Sequence, residues 1–153
     1  MPEFGYSFKD YDPLIHVRAS RREVDVSPKT ATEVCAFIKG KTLPEAKRLL
    51  EEVIAKKRVV PFRKYKRDLG HKSGLDKLYA GRYPVKAAKE VLAALENLEA
   101  NAEFKGFDTD NLVIVHAAAH RGRKVKRYIP RAFGRSSPSF NTLTHIEVVG
   151  KVA

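Results

Sequence analysis

The sequence predicts an α+β domain, with three helices packed on a small antiparallel sheet and one long protruding β-hairpin. Three observations predict it. Apolar residues recur at three- and four-residue steps in three segments. Two β-branched runs lie towards the C-terminal end, and about thirty residues too polar to bury themselves separate those runs. At 153 residues and 43% hydrophobic composition, the chain has enough apolar material for a single domain, 1–153, with its own core. No internal repeat is visible.

Ser27-Pro28 opens the first helix. Ser27 is placed to accept from an orphan backbone N–H, and Pro28 stands where no donor is needed. Ala31, Val34, Cys35 and Ile38 follow at helical spacing, and Gly40 suits a left-handed stop. Thr42-Leu43-Pro44-Glu45 reads as a capping box for a second helix with Ala46, Leu49, Leu50, Val53 and Ile54 on its inner face. The third helix begins near Pro84 and runs to about Phe104, its buried stripe being Ala88, Val91, Leu92, Leu95, Leu98 and Ala102. Gly106 closes it.

Leu112-Val113-Ile114-Val115 and His145-Ile146-Glu147-Val148-Val149 read as strands. If they pair antiparallel, the segment between them must be a hairpin. Each arm then has roughly fifteen residues, about 50 Å at roughly 3.3 Å per residue. A small domain spans only about 30 Å, so much of the hairpin stands clear of it. An isolated two-stranded ribbon is marginal in water, and Ala117-Ala118-Ala119 and Ser136-Ser137 add little to it. The body is expected over about 10–115 and 143–153, the basic hairpin over about 116–142, and a basic insertion over about 56–83. A connection as long as that insertion, without clear periodicity, is usually functional or disordered.

Where the charge sits says more than its total of +12. Residues 56–89 hold twelve Lys/Arg against Asp68 and Asp76, and residues 111–146 hold seven Lys/Arg and no acid. The remaining 83 residues balance at −5. A slightly acidic body therefore carries two strongly basic appendages, which calls for a polyanionic partner. No apolar run approaches the roughly 20 residues that span a bilayer, and MPEFGYSFKDYDPLIHV has no signal pattern, so a cytosolic protein is expected, with no membrane partner. The one cysteine, Cys35, lies on an apolar helix face and reads as a small core residue.

Other chemistries fail on spacing. Gly40-Lys41-Thr42 ends like a phosphate-binding loop, but the earlier glycine such a loop needs is Cys35. His116 and His120 are four apart at a strand end, about 13 Å if extended, with no carboxylate near in sequence, and read as polar contacts to the partner. Asp108 and Asp110 sit where Asp favours turns. No triad, cofactor loop or metal constellation emerges, so no enzyme, cofactor or metal is expected.

The basic stretches carry the functional signal. Arg121, Arg123, Lys124, Lys126, Arg127, Arg131 and Arg135 are suited to phosphates, and Tyr128 and Phe133 to stacking on unpaired bases. Gly122 and Gly134 would let the backbone approach a ligand. Arg63, Lys64, Lys66, Arg67, Lys72 and Arg82 of the insertion join the candidate RNA-binding set, with Arg18, Arg21 and Arg22 from the N-terminal region. No helix carries the basic residues on one face, so there is no obvious reader of a DNA major groove. Extended arms that order on binding suit folded RNA. A DNA-compacting protein, or another RNA-binding protein, is the alternative.

VKRYIPRAFGRSSPSF followed by HIEVV resembles the hairpin signature of the universal large-subunit ribosomal protein family numbered twenty-two in bacteria and seventeen in eukaryotes. SPKTATEVCAFIKGKTLPEAKRLL resembles its first two helices, and NLEANAEFKGFDTDNLVI the end of its third helix and the next strand. VVPFRKYKRDLGHKSG and GRYP resemble the archaeal and eukaryotic branch, and a chain stopping soon after the last strand resembles the archaeal members. The likeness runs from about Arg18 to Val149.

The resemblance implies a structural ribosomal protein of the cytoplasm that binds 23S-type rRNA. It implies contacts with neighbouring ribosomal proteins and a hairpin that lines the exit tunnel beside the nascent polypeptide. Carried onto this chain, it puts Arg121, Gly122, Arg123 and Lys124 at the hairpin tip as tunnel-lining residues. Tyr128, Arg131 and Arg135 then fall on the returning arm, against RNA. Phe133 departs from a position often polar or basic in the family.

Overall fold

The computed structural model describes residues 5–153. Its elements in chain order are β1 (His16–Val24), α1 (Pro28–Ile38), α2 (Leu43–Ile54), β2 (Val60–Pro61), β3 (Gly81–Arg82), α3 (Val85–Phe104), β4 (Leu112–Val125), β5 (Tyr128–Pro130), β6 (Ser136–Pro138) and β7 (Asn141–Val152), with a single 3-10 turn at Ala132–Gly134. The α+β class and the three predicted helices are present. β4 and β7 pair antiparallel over the length of both, so the predicted hairpin is a ladder from Leu112↔Val152 to Val125↔Asn141, with register shifts between Ile114 and His116 and between Arg121 and Lys124.

The main sheet has the order β1-β7-β4, and β1 is an element that the sequence reading did not assign. It pairs antiparallel with β7 from His16↔Lys151 to Val24↔Thr144. Val17 and Ala19 are buried while Arg18 is exposed, the alternation expected of a sheet with two different faces. α1 and α3 lie on the face carrying Val17, Ala19, Leu112, Ile114, Ile146 and Val148, and α2 packs on α3. These apolar side chains form one core with Val34, Ile38, Leu50, Leu95 and Leu98. At about 25 cal/mol per Å² of apolar area removed from water, this burial is the main term favouring the fold.

The helix stops fall where glycine predicts them, with Gly40 at φ +84° and Gly106 at φ +72°. The starts differ from expectation. Neither Ser27 nor Thr42 makes a side-chain cap bond. Pro28 and Pro44 remove one orphan donor each, and Glu45 turns to the Lys41 ammonium at 3.0 Å instead of closing a capping box. Residues 40–42 serve the sheet: the Gly40 N–H donates to the Ile114 carbonyl at 2.8 Å, the Ile114 N–H donates to the Lys41 carbonyl at 2.9 Å, and Thr42 bridges Val113. The resemblance to a phosphate loop is thereby accounted for.

Two boundaries move. β1 reaches alongside β7 as far as Thr144, so the ribbon stands alone only from about residue 121 to 143, and residues 116–120 belong to the body. The chain reverses at the turn formed by Arg131–Arg135, closed by the Arg131 N–H donating to the Arg135 carbonyl at 2.7 Å. Arg121, Gly122, Arg123 and Lys124, expected at the tip, instead stand on the shaft of β4, because the ladder continues past them to Val125↔Asn141. The insertion is ordered as well. β2 pairs with β3, and His71 bridges Ala80.

Candidate nucleic-acid interface

The ribbon leaves the body between two acids at the end of β1, Glu23 in the strand and Asp25 just after it. The Glu23 carboxylate lies 3.2 Å from His145 Nε2 and accepts the Arg123 N–H at 3.4 Å. The Asp25 carboxylate accepts from Asn141 Nδ2 at 2.7 Å and pairs with the Lys86 ammonium at 2.9 Å. Hydrogen bonds from Asn141 and then Lys86 hold the Asp25 carboxyl below the usual range. Gly122 belongs to this grip. A Cβ there would lie 2.9 Å from His145 Nε2 and 3.0 Å from the Glu23 carboxylate, so its close approach is to the chain's own side chains and not to a ligand.

Beyond the grip the surface is cationic. Arg121, Arg123 and Lys124 stand on β4, Lys126 and Arg127 follow it, and Arg131 and Arg135 flank the turn; all seven are exposed. Among the described residues none of the seven has a charged side-chain nitrogen within 4 Å of a carboxylate oxygen. Arg131 Nε donates to the Ser137 hydroxyl at 3.2 Å. The body behaves otherwise. Arg21 pairs with Glu90 at 2.8 Å, Lys86 with Asp25 and Lys47 with Glu99. Surface pairs add little stability each, but they mark where charge is balanced internally.

The turn adds exposed aromatic surface. Phe133 is 98% exposed with φ 56°, a left-handed conformation that costs a non-glycine residue energy, and Gly134 follows at φ 65°. Tyr128 is exposed and packs edge-on against Phe140, ring centroids 6.0 Å apart. Apolar side chains left in water beside unpaired cations fit a partner that offers both phosphates and ring faces.

In the insertion, Arg63, Lys64, Lys66, Lys72 and Arg82 are exposed and, among the described residues, have no carboxylate partner. Arg67 lies 3.7 Å from Asp68, with both side chains almost fully in water, a pair too weak to hold it. The N-terminal arginines serve the body. Arg18 lies over the Tyr6 and Tyr11 rings at 4.8 and 4.7 Å, and Arg21 is held by Glu90. Arg22 is half-buried beside Tyr6, and burial lowers its pKa against the opposing pull of Glu147. The structure thus brings the hairpin cations together and the insertion cations together, and gives Arg21 and Arg22 internal partners.

His116 and His120 were expected to face the partner; both face Glu147. Their Nε2 atoms lie 3.0 and 3.1 Å from its Oε1, and Ser7 donates to the same carboxylate from both its N–H and its hydroxyl. A bulge between Ile114 and His116 sets this up. It shifts the side-chain alternation by one residue, so His116, Ala118 and His120 share the face opposite the helices, and Glu147 sits opposite Ala118 between the two rings. Glu147 is 1% exposed. Burial pushes its carboxyl up, but the hydrogen bonds from Ser7, His116 and His120 together outweigh that and leave it below the ordinary range. Sequence reasoning missed this centre; its one signal was an acid in the middle of a β-branched run. Asp108 makes the turn expected of it, accepting from the Asp110 N–H at 3.1 Å. Burial pushes the Cys35 thiol up to about 12, which leaves it inert.

A family model described as "Ribosomal protein L22p/L17e" matches residues 19–151. Relatives named "Large ribosomal subunit protein uL22" align over nearly whole chains. The one from Cenarchaeum symbiosum (strain A) is 54% identical over 153 residues, 100% of both chains. That of Archaeoglobus fulgidus is 51% identical over 152 residues, 99% of this chain and 98% of its own. That of Nitrosopumilus maritimus is 50% identical over 151 residues, 99% of each.

Proposed function

The chain belongs to the ribosomal protein L22p/L17e family, and from that premise we propose that it is a structural constituent of the archaeal large ribosomal subunit. In this reading it binds large-subunit rRNA, stabilises the folded RNA during assembly in the cytoplasm, and contacts neighbouring large-subunit proteins. Its work is structural and not enzymatic. One observation carries the reading: seven exposed hairpin cations lack carboxylate partners for their side chains among the described residues, while several cations of the body, among them Arg21, Lys47 and Lys86, are paired.

The mechanism is electrostatic stapling. RNA helices that converge repel one another through their phosphates, and a narrow ribbon of fixed positive charge between them offsets that repulsion. Arginine forks grip phosphate oxygens in pairs, so Arg121, Arg123, Arg127, Arg131 and Arg135 would set position as well as charge. The ribbon is held at its root by Glu23 and Asp25, so it enters the RNA at a set angle. The tunnel-facing role goes with the reversal of the chain, Arg131–Arg135 with Phe133 at its apex, and the shaft residues Arg121–Lys124 meet rRNA. The nascent polypeptide would pass the apex.

Sedimentation with archaeal large subunits through high salt tests the assignment. The chain should stay with the subunit particle. Release at moderate salt, or equal competition by duplex DNA for an rRNA fragment, would favour a non-ribosomal nucleic-acid binder.

A further inference from the structure

The basic insertion is shaped by a buried acid that the hairpin does not use. Glu33 of α1 is 2% exposed, and no cationic side chain among the described residues pairs with it. Its carboxylate instead accepts three consecutive backbone N–H groups: Arg63 at 3.0 Å on Oε2, and Lys64 and Tyr65, both at 2.8 Å, on Oε1. A buried carboxylate costs several kcal/mol unless such donors satisfy it, so the three bonds and the burial require each other. The result is a loop whose backbone is fixed at its most basic point.

That backbone frames a cavity of about 340 Å³ lined by Ser27, Lys29, Thr30, Phe62, Lys64, Tyr65, Arg67, Leu69 and Arg82. Its size falls at the lower end of small-ligand sites. Four of these lining residues are cations and none is an acid. Phe62 and Leu69 supply an apolar floor. The Tyr65 ring carries the Lys64 ammonium at 5.5 Å and the Lys29 ammonium at 5.8 Å. The Ser27 hydroxyl makes no cap bond to α1. Positive charge, hydroxyl donors and an aromatic wall in one concave site match a phosphate with its attached unstacked base.

We propose that this cavity is a second RNA subsite, formed before binding, which takes a backbone phosphate and its unpaired nucleotide, and that Glu33 is its positioning residue. Lys29, Lys64, Arg67 and Arg82 hold the phosphate, and Tyr65 meets the base. The two basic appendages then work differently. The ribbon has few contacts of its own beyond its root, whereas the insertion presents a site already shaped by the body. The proposal rests on the RNA-binding reading above and deepens it.

The test uses the full chain and an in vitro transcript of archaeal large-subunit rRNA, with hydroxyl-radical footprinting and binding measured across a salt series. The wild-type chain should protect two separate groups of nucleotides. A Lys64→Ala/Arg82→Ala double variant should lose one group, keep the hairpin's group, and show a salt slope shallower by about 1.5, as expected for two lost phosphate contacts. Glu33→Gln is the sharper arm. It removes a negative charge, so charge alone would tighten binding, yet it turns an amide N–H towards a backbone N–H. It should lose the same protections and weaken binding several-fold, with the helical circular dichroism unchanged. Tighter binding with Glu33→Gln, or both groups of protections intact in the double variant, would overturn the proposal. Millimolar adenosine monophosphate should leave the protections in place; their loss would make the cavity a mononucleotide site and overturn the RNA assignment. No protection anywhere with the wild-type chain would instead defeat the RNA-binding reading itself.

Discussion

Replacing residues 126–140 by Asn-Gly separates the fold from the binding. Val125 and Asn141 are direct partners in the ladder, so a two-residue turn of the primed type can close it there. No residue between them belongs to the core, and all but the partly covered Ser137 are exposed. Shortening the connection from fifteen residues to two lowers closure entropy by on the order of 1–2 kcal/mol. The truncated chain should therefore melt at or slightly above the wild-type Tm, by roughly 2–4 °C per kcal/mol at this size. Binding should change sharply. The truncation removes Lys126, Arg127, Arg131 and Arg135, four of the seven unpaired hairpin cations. At about 0.7–0.9 per neutralised phosphate, the slope of log K against log salt should be shallower by about 3. Thermal melts by circular dichroism and fluorescence anisotropy on an rRNA fragment across a salt series measure the two effects. A Tm more than about 5 °C lower would show the ribbon to be part of the fold. An unchanged salt slope would show that its charges do not meet phosphates.

Three further outcomes follow from the body. The Glu147 carboxyl is held below the ordinary carboxylate range in the folded chain, so its contribution to stability is complete above the unfolded pKa and lost as pH falls through the lower folded one; the Tm of the wild-type chain should drop on acidification there, and that of Glu147→Gln should drop less. Cys35, with its thiol pushed up to about 12 and fully buried, should resist a thiol reagent at pH 8 until the chain unfolds, and labelling should track global opening. Leu95→Ala, which empties a fully buried site on α3, should cost about 2–5 kcal/mol in urea unfolding, whereas Phe133→Ala at the exposed apex should cost almost nothing.

The parts of the molecule legible in the sequence were those with local periodicity. α1, α2 and α3 announce themselves through apolar spacing, prolines and glycine stops, and β4 and β7 through β-branched runs. β1 was not legible, because Arg21, Arg22 and Glu23 break up its alternation and its partner β7 lies more than a hundred residues further on. The tip was misplaced for a different reason. Dividing the connecting segment into two equal arms puts the reversal near residue 130, close to Arg131–Arg135, while the family resemblance, carried over residue by residue, put the tip at Arg121–Lys124. The carboxylate centres were hidden as well. Glu33 and Glu147 become meaningful only once the insertion folds back on α1 and a bulge turns His116 and His120 to one face; neither event leaves a mark at fixed spacing. The unpaired cations, by contrast, were visible from composition alone, since a segment without acids has few ways to balance them.

Cross-linking the native chain to large-subunit rRNA and mapping the modified peptides tests the central claim most directly. The account predicts cross-links concentrated on residues 121–135 and 63–82, with few on the exposed sides of α2 and α3. Cross-links spread evenly over the surface, or gathered on α2 and α3, would contradict it.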